Sequence, residues 1–85
     1  MNKFVDFEVS ERKGDVVISA VYKTTVIGKI ETSVGHLKNE GAVELAICRM
    51  SYGILRRKMS KREEKTMRSA IGYVVYKYDS ENSVQ

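Results

Sequence analysis

Across residues 4–10 apolar and polar positions alternate, placing Val5, Phe7 and Val9 on one side of an extended chain and Asp6, Glu8 and Ser10 on the other. That is the pattern of a half-buried strand. Glu11-Arg12-Lys13-Gly14-Asp15 breaks it with a glycine able to take positive φ, and residues 16–22 resume an apolar run rich in β-branched side chains. The two runs predict a hairpin. A third β-rich run, residues 25–32, follows Lys23-Thr24 with no Gly, Asn, Asp or Pro to mark a turn. Residues 16–32 therefore read as two strands or as one bulged strand, with Gly28 as the candidate bulge. The expected unit is a three-stranded antiparallel meander over residues 4–33, whose apolar face another layer must cover.

In the second half the period changes from 2 to 3.6. Val43, Ala46 or Ile47, Met50, Ile54 and Met59 fall on one side of a helix predicted from Glu40 to Lys58, with Asn39 as its N-cap and Glu40 and Glu44 near its positive end. Ser60-Lys61-Arg62-Glu63 has the Ser-x-x-Glu form of a capping box, and Met67, Ile71, Val74, Val75 and Tyr78 then continue a helical stripe. Residues 71–78 also carry strong strand propensity and an internal Gly72, so a fourth strand is the alternative there. The fold class is α+β: a meander, a helical part over residues 40–78, and a frayed tail over residues 79–85.

The 85 residues allow one core, so residues 1–85 form a single domain. A hydrophobic content of 42% suits a folded chain. The apolar stripe Val43, Met50, Ile54, Met67, Ile71, Val74 and Val75 exceeds what three short strands are expected to cover, which raises the expectation of a homodimer. The one cysteine, Cys48, offers no internal disulfide, acids interrupt the apolar runs of residues 1–20, and no span is long and apolar enough for a membrane. A soluble, cytoplasmic protein with no membrane partner is the expectation.

Charge is distributed unevenly along the chain. Residues 49–68 hold Arg49, Arg56, Arg57, Lys58, Lys61, Arg62, Lys65 and Arg68 against Glu63 and Glu64, eight positive and two negative, while the rest of the chain has seven basic and nine acidic residues. The formal +4 thus hides a polarised molecule. Such a cluster around a helix start can hold phosphates by side-chain charge and by the positive helix end. The candidate binding residues are Arg56, Arg57, Lys58, Lys61, Arg62, Lys65 and Arg68, with Tyr73 and Tyr76 as a potential stacking surface. The competing account is structural: basic residues meet the negative end of the first helix, and Glu64 pairs with Arg68 at i,i+4.

Catalytic and metal chemistry find little material. His36 and Cys48 are the only His and Cys, with nothing in their spacing to suggest a nucleophile–base pair or a ligand set. Cys48 reads as a packed helix residue, and the loop bearing His36, with one Gly and no phosphate-loop signature, as an ordinary connection. Tyr22, Tyr52, Tyr73, Tyr76 and Tyr78 read as packing at the core edge. Glu63 and Glu64, adjacent on a helix, are poor general acid–base partners. No metal and no cofactor are expected.

Three strands followed by a helix, with Lys38-Asn39 at its start and Ala42, Leu45 and Ala46 within it, loosely resemble the later part of a double-stranded-RNA-binding domain over residues 4–58. This chain lacks that family's leading helix and has Glu40 and Glu44 where the family carries lysines. The functional expectation is a small non-enzymatic binding or regulatory protein that contacts nucleic-acid phosphates through residues 49–68. The alternative is a protein-binding adaptor or inhibitor whose basic helical face docks on an acidic partner.

Overall fold

The alternation of the first third becomes a three-stranded antiparallel sheet in the computed structural model, which describes residues 4–82. Strands β1 (Asp6–Arg12), β2 (Asp15–Tyr22) and β3 (Thr25–Ser33) lie side by side in that order. Arg12 pairs with Asp15, leaving Lys13 and Gly14 as a two-residue turn with φ of 54° and 89°. Positive φ at both positions gives the turn a twist that matches the strands. Tyr22 pairs with Thr25, so Lys23 and Thr24 make an equally short turn, with Lys23 at φ 57°. Strand pairing enforces this second turn where the sequence carries no turn residue.

Register puts Phe7, Ala20 and Gly28 in one cross-strand row, and Val9, Ile18 and Ile30 in the next, all on the core face. Glu8, Ser19 and Lys29 lie on the other face, where Glu8 and Lys29 are open to solvent. A bulge does occur in β3: Ala20 pairs with Gly28 but Val21 pairs with Val26, so Ile27 is the extra residue. Gly28 matters for a further reason. A β-carbon there would lie 2.6 Å from Ile54 Cγ2, so the bare backbone admits Ile54 onto the sheet.

The helical half departs from the predicted pair of helices. Ser33 caps an unforeseen one-turn helix, α1 (Val34–Leu37), which buries Val34 and Leu37. Asn39 caps α2 (Glu40–Cys48) as expected, accepting from the Gly41 N–H at 2.7 Å. After Cys48 the chain widens into a π-helical segment, Arg49–Leu55, that ends when Arg56 enters the left-handed region at φ 61°. The helix expected to reach Lys58 thus stops at Leu55, and Met59 enters the core from the connecting segment. Cys48 is exposed, a correction to its reading as a packed residue: Ala46 and Met50 take the buried positions on either side.

Helix α3 (Lys61–Asn82) removes the fourth-strand alternative. Its Met67 and Ile71 are buried and Val74, Val75 and Tyr78 are packed against the core, so helical burial prevails over the β-propensity of residues 73–76. The helix also runs through residues 79–82, expected to fray, where Asp79 meets Lys38 Nζ at 2.8 Å and Asn82 donates to the Tyr78 carbonyl at 2.8 Å. The remainder of that expected tail, residues 83–85, lies outside the described residues. Glu63 contacts the amide of Val5 at the start of β1, and Tyr78 packs beside Gly14 beyond its end, so α3 lies along β1 in the same direction. The π-helical segment packs on β3, completing the second layer.

The chain's own fold covers its apolar stripe. Val43, Met50, Met67 and Ile71 are buried, and Ile54, Val74 and Val75 are partly so, which removes the surplus on which the homodimer expectation rested. Among the described residues the exposed large apolar side chains are others: Val26, Ile27, Leu45, Tyr52, Tyr73 and Tyr76. No helix among the described residues is long and apolar enough to cross a membrane.

Candidate nucleic-acid interface

The capping box forms as the sequence predicts and then does more. Ser60 Oγ accepts the Glu63 N–H at 3.1 Å, while Glu63 Oε1 accepts the Ser60 N–H at 3.1 Å. The same carboxylate accepts the Val5 N–H at 3.0 Å and both terminal nitrogens of Arg57 at 2.8 Å. Only 1% of Glu63 is exposed, so four donors converge on a buried anion that joins the start of β1, the connecting segment and α3. Arg57 holds the carboxyl down to about 2; burial opposes this, and the Ser60 and Val5 amides assist. The Glu63 partnership pushes the Arg57 guanidinium upward in return.

This arrangement changes where an external anion can sit. Ser60 Oγ caps the Glu63 N–H, and the Glu63 carboxylate sets a buried negative charge beside the start of α3, which disfavours an external anion at that helix end. Arg68 is committed as well, bonding Glu40 at 2.7 Å, Glu44 at 2.8 Å and Glu64 at 3.0 Å. Glu40, then Glu64 and, more weakly, Glu44 raise its pKa. The expected Glu64 pair is present, and the acids expected to serve the start of α2 also bridge to α3.

Five of the seven candidate residues remain outward-facing cations. Arg56, Lys58, Lys61, Arg62 and Lys65 are all exposed, and none makes an ion pair among the described residues. The Arg62 guanidinium carbon lies 4.4 Å from the centre of the Phe4 ring, a cation–π contact that holds this group at the start of α3. Lys61, Lys65 and Arg68 border a shallow groove along α3 with Glu64 and Ser69. Tyr73 and Tyr76 lie farther along the same helix and are 65% and 72% exposed, correcting their reading as core-edge packing; Tyr52 is likewise exposed. Tyr22 and Tyr78 do pack at the core edge.

Comparison with family models, curated proteins and solved structures found no match to this chain. The partial resemblance to a double-stranded-RNA-binding domain therefore gains no support, and the geometry alone carries the functional argument.

Other chemistry is sparse. His36 Nδ1 lies 3.3 Å from Ser33 Oγ, but that oxygen already accepts the His36 N–H as the cap of α1. No group of three or more His, Cys, Asp or Glu gathers as a metal site among the described residues. Sequence reasoning found the cluster and the capping box. It found the Glu64–Arg68 pair but missed the rest of the division, because Arg57 meets Glu63 across the turn and Arg68 meets Glu40 and Glu44 only once α3 has docked on α2.

Proposed function

We propose that the protein is a non-enzymatic nucleic-acid-binding protein that holds phosphates with Arg56, Lys58, Lys61, Arg62 and Lys65. One observation supports this above the rest: the fold neutralises the two acids of residues 49–68 with Arg57 and Arg68 and leaves five neighbouring cations facing solvent. A protein stabilised only by internal pairs has no need of that surplus, and its concentration around one turn suits a polyanion. Arg57 and Arg68 serve as positioning residues. Arg57 anchors the turn that carries Arg56 and Lys58, and Arg68 clamps the helix that carries Lys61 and Lys65 to α2.

A mobility assay with nuclease-treated protein and a single-stranded oligonucleotide, repeated across a salt series, tests the reading. Binding should weaken steeply with salt, and Lys61→Gln with Lys65→Gln should weaken it much more than Lys29→Gln, which removes an exposed charge on the opposite face of the sheet. Absence of binding at low salt would remove the proposal. In that event the acidic-protein alternative takes its place, tested by co-purification of a stoichiometric partner.

A further inference from the structure

The solvent face of α3 continues beyond the cations without interruption. Arg62, Lys65, Ser69, Tyr73 and Tyr76 follow one another at steps of three or four residues, and all five are exposed. This spacing places them on one helical stripe. Cations occupy its first part, a small serine its middle and two tyrosine rings its end. Both rings contribute little to the core, being 65% and 72% exposed, while the opposite side of the helix supplies Met67 and Ile71 to the interior. Gly72, beside the stripe, has no neighbouring atom within 4 Å of where a β-carbon would stand, so the approach to Tyr76 is open.

We propose that this stripe is a single-stranded nucleic-acid platform, with bases stacking on Tyr73 and Tyr76 while the backbone tracks toward Lys65, Arg62 and Lys61. The assignment rests on the phosphate reading above and adds a base-binding subsite and a strand preference to it. Exposed aromatic faces accept unpaired bases of any sequence, whereas the bases of a duplex are already stacked on one another. Between Arg62 and Tyr76 the helix rises about 21 Å at about 1.5 Å per residue. At about 3.4 Å per phosphate along one strand, that accommodates roughly six stacked nucleotides. Charge chooses the occupant at the first half of the stripe, where Lys61, Arg62 and Lys65 are exposed and outside the ion pairs among the described residues, while Arg68 holds Glu40, Glu44 and Glu64 between them and the tyrosines. A polyanion with flat faces is complementary to cations followed about 12 Å on by Tyr73.

Four ligands separate the terms: oligothymidylate, an abasic sugar–phosphate oligomer of equal length, a blunt duplex and polyglutamate. The protein has five tyrosines and no tryptophan, so quenching of tyrosine emission reports stacking directly. The expected result is oligothymidylate bound at least about 25-fold more tightly than the abasic oligomer, since each of two stacked bases contributes at least about five-fold. Tyr73→Ser combined with Tyr76→Ser should erase that difference and most of the quenching, while affinity for the abasic oligomer changes by less than about two-fold because phosphate contacts remain. Equal affinity of the unaltered protein for both oligomers, or an undiminished difference in the double variant, would overturn the stacking subsite and leave the phosphate reading standing. Preference for duplex, or polyglutamate bound as well as oligothymidylate, would also overturn it. Failure to bind any of the nucleic-acid ligands would remove the phosphate reading and the platform together.

Discussion

Arg57 meets the carboxylate of Glu63 through two parallel hydrogen bonds of 2.8 Å, and the pair closes the turn between the π-helical segment and α3. The acid is almost wholly buried, while 39% of the arginine side chain is exposed. An arginine in the most basic stretch of the chain thereby belongs to the fold. Its neighbours on either side, Arg56 and Lys58, are left pointing outward.

Acid should unfold the protein partly through Glu63. Its folded pKa, about 2, lies below the ordinary value of 4.5, so the unfolded chain binds more protons between those values. The stabilisation is complete above the unfolded value and is lost as pH falls through 4.5 toward 2. Glu63→Gln should cost about 2–4 kcal/mol at neutral pH, near the lower range for a broken buried pair because Arg57 can turn to water. Urea denaturation at several pH values checks this: the variant should lose less stability than the parent on acidification, and an identical loss would contradict the assignment.

Gly28 and Ile54 should behave as a coupled pair. A β-carbon on Gly28 would meet Ile54 Cγ2 at 2.6 Å and Cγ1 at 3.1 Å, atoms near the Ile54 backbone that cannot swing aside cheaply. Gly28→Ala should therefore cost about 1–3 kcal/mol by overpacking. Ile54→Ala removes the obstructing branch, so the double variant should be less destabilised than the sum of the single ones, by about 0.5 kcal/mol or more. Additive losses in a double-mutant cycle would reject the contact.

Arg56 should separate stability from binding. At φ 61° it holds a conformation that costs an ordinary L-residue about 1–2 kcal/mol and a glycine little. After allowance for the greater freedom of glycine in the unfolded chain, Arg56→Gly should raise stability by about 0.5 kcal/mol. The same change removes one proposed phosphate contact, so affinity for nucleic acid should fall. Thermal denaturation and a binding assay on one preparation test the opposed signs, and a simultaneous loss of both would show that Arg56 supports the fold.

Much of this architecture was legible in the chain. Alternation at Val5, Phe7 and Val9 located β1, Asn39 and Ser60 marked the starts of α2 and α3, and Met67, Ile71, Val74, Val75 and Tyr78 marked the buried face of α3. Local pattern failed where tertiary contacts decide. The π-helical widening after Cys48 swings Ile54 over Gly28, a requirement set by a strand some 26 positions earlier. The exposure of Cys48, Tyr73 and Tyr76 depends on how much of each helical face the sheet covers. The charge cluster was visible at once, but its division was not: Arg68 reaches Glu40 and Glu44 across 28 and 24 positions, beyond any local pairing rule.

On the proposed function, the five outward cations Arg56, Lys58, Lys61, Arg62 and Lys65 hold a nucleic-acid backbone while Arg57 and Arg68 stay paired within the fold. The salt dependence of oligothymidylate affinity measures the number of such contacts directly. Five phosphates on a single strand predict a slope of log affinity against log salt of about −3.5, reduced by about 0.7 for each of Lys61→Gln and Lys65→Gln. A slope near zero, or one unchanged when both lysines are replaced, would show that these side chains do not hold phosphates.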